Sequence, residues 1–159
     1  MATANAATTY LENRLLNFLF KGNTASFSTP GDNIYVGLAT AVSNFNDSTG
    51  ESGDPTITEA TFTGYERKNV PAASWTLTDE SADTQTIKNS GNIEFDPSTS
   101  VSSETITHVF ISTVATGTSL DVVGTGGNVL FIGALDASKT IATGDIFRIN
   151  TNNLTIELK

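Results

Sequence analysis

His108 is the only histidine and there is no cysteine, so the side chains that most often move protons or attack carbonyls are nearly absent. His108 lies in Ile106-Thr107-His108-Val109-Phe110-Ile111, which the pattern makes mid-strand. A nucleophile–base–carboxylate triad needs three groups converging in space, and Ser102, Ser103 and Glu104 are near His108 only in sequence. Zinc wants several His or Cys ligands, which one histidine does not supply. Calcium needs only oxygens: Asn44, Asn46, Asp47, Glu51 and Asp54 crowd one loop, and Asp79, Glu80 and Asp83 another. Neither loop has the glycine and the closing glutamate of an EF-hand, so both are expected to be solvated acidic loops. Gly124-Thr125-Gly126-Gly127 lacks the Lys and Ser/Thr of a phosphate loop and leads into a strand, as a glycine-rich hairpin or bulge does.

Paired carboxylates for glycoside hydrolysis are numerous among 17 acids, yet such sites normally come with aromatic platforms and Trp75 is the only tryptophan. Trp75 alternates with Leu77 and is assigned to the core, sugar stacking with Tyr35 or Tyr65 being the other reading. Arg67, within Tyr65-Glu66-Arg67-Lys68, stands out in a chain of eight basic residues. Its planar fork can pair at two points with a carboxylate across a subunit boundary, or lie on an ordinary exposed strand face. The expectation is a protein without catalytic residues, metal or cofactor, and not an enzyme.

The elements that would carry these residues are mostly strands. Thr9-Tyr10-Leu11-Glu12 has the form of a capping box, and Leu11, Leu15, Phe18 and Leu19 follow at helical spacing before Lys21 and Gly22 close the segment. Leu16 and Phe20 widen that apolar face, which either docks on a sheet or packs against a neighbouring subunit. Beyond Gly22 every apolar segment is short, β-branched or aromatic, and bounded by turn residues. Strands are expected over 34–40, 64–70, 73–77, 84–88, 92–95, 106–114, 128–135, 146–150 and 153–158, with a long polar connection over 43–58. This spacing predicts a mainly β chain: an antiparallel β-sandwich or jelly-roll-like domain of about eight or nine strands with one N-terminal α-helix. Residues 1–8 form an arm, 9–22 the amphipathic helix and 23–159 a single β-sandwich domain.

Composition agrees. The chain has 159 residues, 38% of them hydrophobic and only 16% charged, and about a sixth are threonine, whose branched Cβ suits a pleated surface. A net charge of −9 argues against nucleic acid, which needs clustered Lys and Arg. No apolar run reaches the roughly 18 residues that span a bilayer, and the N-terminus lacks the basic-then-apolar form of a secretory signal.

An ordered series of segments points further. Tyr10-Leu11-Glu12-Asn13 with Leu15-Leu16, the run Ile34 to Thr40, Gly64-Tyr65-Glu66-Arg67, Asn89, Ile93-Glu94-Phe95, His108 to Ile111, Gly126 to Leu135, Gly144-Asp145 and Leu154-Thr155-Ile156 appear in turn. Together they resemble the small tail-fibre-like structural proteins of tailed bacteriophages, over most of the chain. The chain departs from that pattern where Asp96 separates Phe95 from Pro97, and in the length of the insert around 44–54. The resemblance implies a non-enzymatic virion protein, made in the host bacterial cytoplasm and carried on the head surface or tail. Head decoration (cement) is expected ahead of a tail-fibre or baseplate role with glycan or receptor binding. The expected partners are the chain itself, as a homotrimer, and other virion proteins such as major capsid or tail proteins. Leu15, Phe18, Leu19, Phe20 and Arg67 are the expected interface residues.

Overall fold

Alternation of apolar and small residues makes the central strand. In the computed structural model, which describes residues 6–8, 11, 15–16, 19–20, 34–44, 56–78, 85–117, 120 and 128–158, β2 runs Tyr35–Ser43. The other strands are β1 Ala6–Ala7, β3 Thr56–Glu59, β4 Lys68–Asn69, β5 Trp75–Thr78, β6 Gln85–Asn89, β7 Ile93–Glu94, β8 Glu104–Ser112, β9 Val129–Ile141, β10 Arg148–Ile149 and β11 Thr155–Leu158. Every pairing among them is antiparallel.

Among the described residues hydrogen bonds sort these strands into three sheets, which bear out the mainly β, antiparallel character and do not by themselves define the two facing sheets of the expected sandwich. The largest has the order β1-β9-β8-β2-β3, with β4 also on β2; β11-β6-β5 form a second and β10-β7 a third. The chain leaves the main sheet where Pro71 follows β4, since proline has no N–H to extend a ladder. Two strands also lie outside the expected set. β3 falls inside the polar stretch, where Ile57 is the one apolar residue of Thr56–Glu59 and the only one of the four that is buried. β1 takes the end of the expected arm and pairs Ala6 with Ile132 and Ala7 with Phe131 of β9.

The main sheet is covered on both faces, as its burial shows. Val36 and Leu38 of β2 face a core completed by Phe62, Ile93, Phe95, Ile106, Val109, Ile141, Phe147 and Ile149. Ala39 joins Phe110, Val129, Ile132 and Ile57 on the other side. Gly37 pairs with Phe110, and a Cβ on Gly37 would sit 2.1 Å from the ring Cζ, so the ring occupies the space a side chain would fill. Tyr65 stacks on Phe95 at 5.9 Å between centroids, and Phe95 meets Phe147 edge-on at 5.8 Å. Such pairs each add about 0.5–1.5 kcal/mol beyond burial itself. Trp75 packs on this core and donates from Nε1 to the Val70 carbonyl at 3.1 Å, as the core reading expects.

Two buried polar residues tie the layers. Asn89, with no exposed surface, donates to the carbonyls of Gly91 (2.7 Å) and Asn150 (3.0 Å) and accepts from the Leu154 amide (2.9 Å). Thr8, equally buried, donates its hydroxyl to the Val129 carbonyl and its amide to the Leu130 carbonyl, while its Oγ1 accepts from the Leu11 amide at 3.2 Å. That last bond joins a cap to the amide three residues on. Thr8 therefore fills the capping position expected of Thr9. The rest of the helix expected over 9–22 lies largely outside the described residues: Leu11, Leu15, Leu16, Leu19 and Phe20 have helical backbone there, and no continuous helical element is defined.

Candidate functional site

Glu59 ends β3 on the same side of that strand as buried Ile57, which carries its carboxylate toward the core side. The chain then turns at Gly64, whose φ is +101° and where a Cβ would lie 2.7 Å from the Pro97 carbonyl oxygen; only glycine suits both demands. The turn brings Tyr65 and Arg67 back onto Glu59. Arg67 Nε donates to Glu59 Oε1 at 2.7 Å and Nη2 to Oε2 at 2.8 Å. Nη1 and Nη2 also donate to the carbonyls of Val114 and Gly117, both at 2.9 Å. The guanidinium carbon lies 5.5 Å from the Phe110 ring centroid.

The Tyr65 hydroxyl completes the group, donating to Glu59 Oε1 at 2.7 Å and accepting from the Leu38 amide at 3.0 Å. Burial, reinforced by the Glu59 bond, pushes the Tyr65 phenol far above its usual range. The hydrogen bonds to Glu59 raise the Arg67 pKa in turn. A phenol and a guanidinium both held protonated have no proton to exchange near neutral pH, so this group positions backbone. It fixes the end of β3, the 65–67 segment and the 114–117 segment on β2. The two-point fork foreseen for Arg67 is thus filled inside the chain, by a residue the sequence reading did not single out. Its signal was present: an acid two residues beyond Ile57, on the buried parity of a threonine-rich strand.

Next to it, Lys68 Nζ lies 2.9 Å from both Glu66 and Asp96. Asp96, which separates Phe95 from Pro97, therefore has an intrachain role. His108 is half-buried on β8, between Ala39 and Ala134. Thr107 Oγ1 donates to the Thr40 carbonyl at 2.8 Å, so the 2.7 Å contact to His108 Nδ1 is met by a ring N–H donating to that hydroxyl. Glu104 does not reach toward His108 here. Its carboxylate accepts from the amides of Thr61 (2.9 Å) and Phe62 (3.0 Å) and from the Thr61 hydroxyl (3.1 Å).

Those bonds form one wall of a surface depression of about 380 Å³ between the 61–63 turn and the 99–104 loop. Its walls are hydroxyl-rich, and the Ser100 hydroxyl is already engaged by the Thr63 amide at 2.6 Å. At the opposite end of the β8–β9 hairpin, Leu11 packs on the cluster of Ile111 and Leu130, and beyond it Leu15, Leu16, Leu19 and Phe20 are exposed by 40, 55, 60 and 80%. Phe18, most of the acidic loop residues and Gly124 to Gly127 lie outside the described residues. No helix among the described residues is long and apolar enough to cross a membrane. Among the same residues no three His, Cys, Asp or Glu side chains group as a metal site would require.

A family model described as Podophage GP4 fiber I protein gp80 matches residues 6–157. The chain belongs to this family. No curated protein matches it. The match to the fibre family takes in nearly every element above, from β1 through most of β11. Segments that carried the resemblance now have places: Gly64 to Arg67 make the turn and fork, Asn89 the buried tie, and Gly144-Asp145 a turn closed by the Ala142 amide on Asp145 Oδ2 at 2.9 Å. Membership of a phage fibre protein family supports a virion component, and favours the fibre reading over head decoration.

Proposed function

We propose that this protein is a non-enzymatic structural subunit of the tail fibre of a tailed phage, present in several copies and assembled as a homotrimer in contact with other tail proteins. The observation that carries the reading is the fibre-family match over residues 6–157. Three features support it. The polar network of Glu59, Tyr65 and Arg67 holds backbone; the lone histidine is bonded to a threonine; and among the described residues the densest group of exposed large apolar side chains is Leu15, Leu16, Leu19 and Phe20.

A particle component works by burying area at repeated contacts, where many copies stabilise an assembly that one contact would not. Cryo-electron microscopy or immunogold labelling of particles bearing the protein tests the reading. A few symmetric copies at the tail are expected; a lattice of hundreds across the shell would return it to head decoration.

A further inference from the structure

Leu15, Leu16, Leu19 and Phe20 are four of the seven large apolar side chains most exposed among the described residues, and they fall within six positions of each other. With helical backbone at 100° per residue, those positions span one side of a helix. The segment is held at its root. Thr8 is buried on β9, its hydroxyl caps Leu11, and Leu11 packs on the cluster of Ile111 and Leu130. Beyond that root Leu15, Leu16, Leu19 and Phe20 are presented to solvent.

We infer that this face is a contact between copies of the chain, each burying Leu15, Leu16, Leu19 and Phe20 against the same residues of another. The inference rests on the multi-copy reading above and names its contact. Two observations select a second copy as the occupant. The first is charge: segment 9–22 carries one acid, Glu12, against two bases, Arg14 and Lys21, in a chain of net charge −9. Copies that meet here do so away from most of the acids of an acidic protein, so the chain's net negative charge opposes the contact little. The second is area. The four residues expose on the order of 450 Å² per copy, so a contact that covers them on both copies removes up to roughly 900 Å² from water, near the lower bound for a specific contact.

Sedimentation velocity on the full-length protein, from about 1 to 200 μM, tests this contact. The wild type is expected to self-associate with rising concentration. Leu19→Gln/Phe20→Gln should weaken that association by at least about thirtyfold while leaving the circular dichroism unchanged and, at concentrations where the wild type is monomeric, the thermal melt as well, because both side chains are exposed in the single chain. Leu77→Gln, on the exposed part of β5, should leave association as it is. A wild type that stays monomeric throughout, or a double variant that associates like the wild type, overturns the inference. Monomeric protein found at the tail by labelling would overturn this contact and keep the fibre reading. Intact association through this face with no copy at the tail would do the reverse.

Discussion

Arg67 and Glu59 meet through two parallel hydrogen bonds of 2.7 and 2.8 Å, with the arginine side chain 2% exposed and the glutamate 22%. A pair this enclosed has given up much of its hydration, so its attraction mainly offsets desolvation. What it secures is geometry. Deleting one partner leaves the other charge uncompensated, which costs more than the intact pair contributes.

Arg67→Met should therefore destabilise the fold by about 3 kcal/mol, and Glu59→Gln by a similar amount, in urea denaturation. Arg67→Lys should recover less than half of that loss, because an ammonium cannot serve both carboxylate oxygens and two carbonyls from one plane. A lysine variant as stable as wild type would show that charge alone suffices.

Gly37 and Phe110 make a second pair whose coupling can be measured. A Cβ on Gly37 would lie 2.1 Å from Phe110 Cζ, so Gly37→Ala should cost about 1–3 kcal/mol through overpacking. Phe110→Leu makes room, so the double variant should be less destabilised than the two single losses added together. Simple additivity in a thermodynamic cycle would mean that the ring moves aside freely.

Burial lowers the His108 pKa below its ordinary 6.5. Folding then favours the neutral ring. Its contribution is fully present above the unfolded pKa and is lost as the pH falls through the lower folded one. Wild type should lose more stability than His108→Gln between pH 7 and pH 5, with the carboxylates common to both cancelling in the difference. Parallel urea midpoints across that range would remove burial as the cause.

Thr8→Val keeps the shape of the side chain and removes its hydroxyl. The Val129 carbonyl loses a donor and the Leu11 amide an acceptor, for an expected loss of about 1–2 kcal/mol. Hydrogen exchange should quicken at Leu11, while amides in β8 keep their protection. Unchanged exchange at Leu11 would mean that the N-terminal segment is held by its apolar contact alone.

Local pattern decided a good deal about this protein. The alternation of Ile34, Val36 and Leu38 with Tyr35, Gly37 and Ala39 yields β2, and the apolar run from Asn128 yields β9, because a strand's two faces can be read from residue parity. The mainly β character and the family likeness follow from such segments taken in order. The tertiary structure decided what depends on contacts between distant residues. It chose Glu59 as the partner of Arg67, seated Phe110 over Gly37, made Thr8 the cap by burying it on β9, and divided the strands into three sheets. None of these is carried by a residue's type or its near neighbours. Each depends on which strand edge reaches which across tens of residues, a choice made only when the whole core is packed at once.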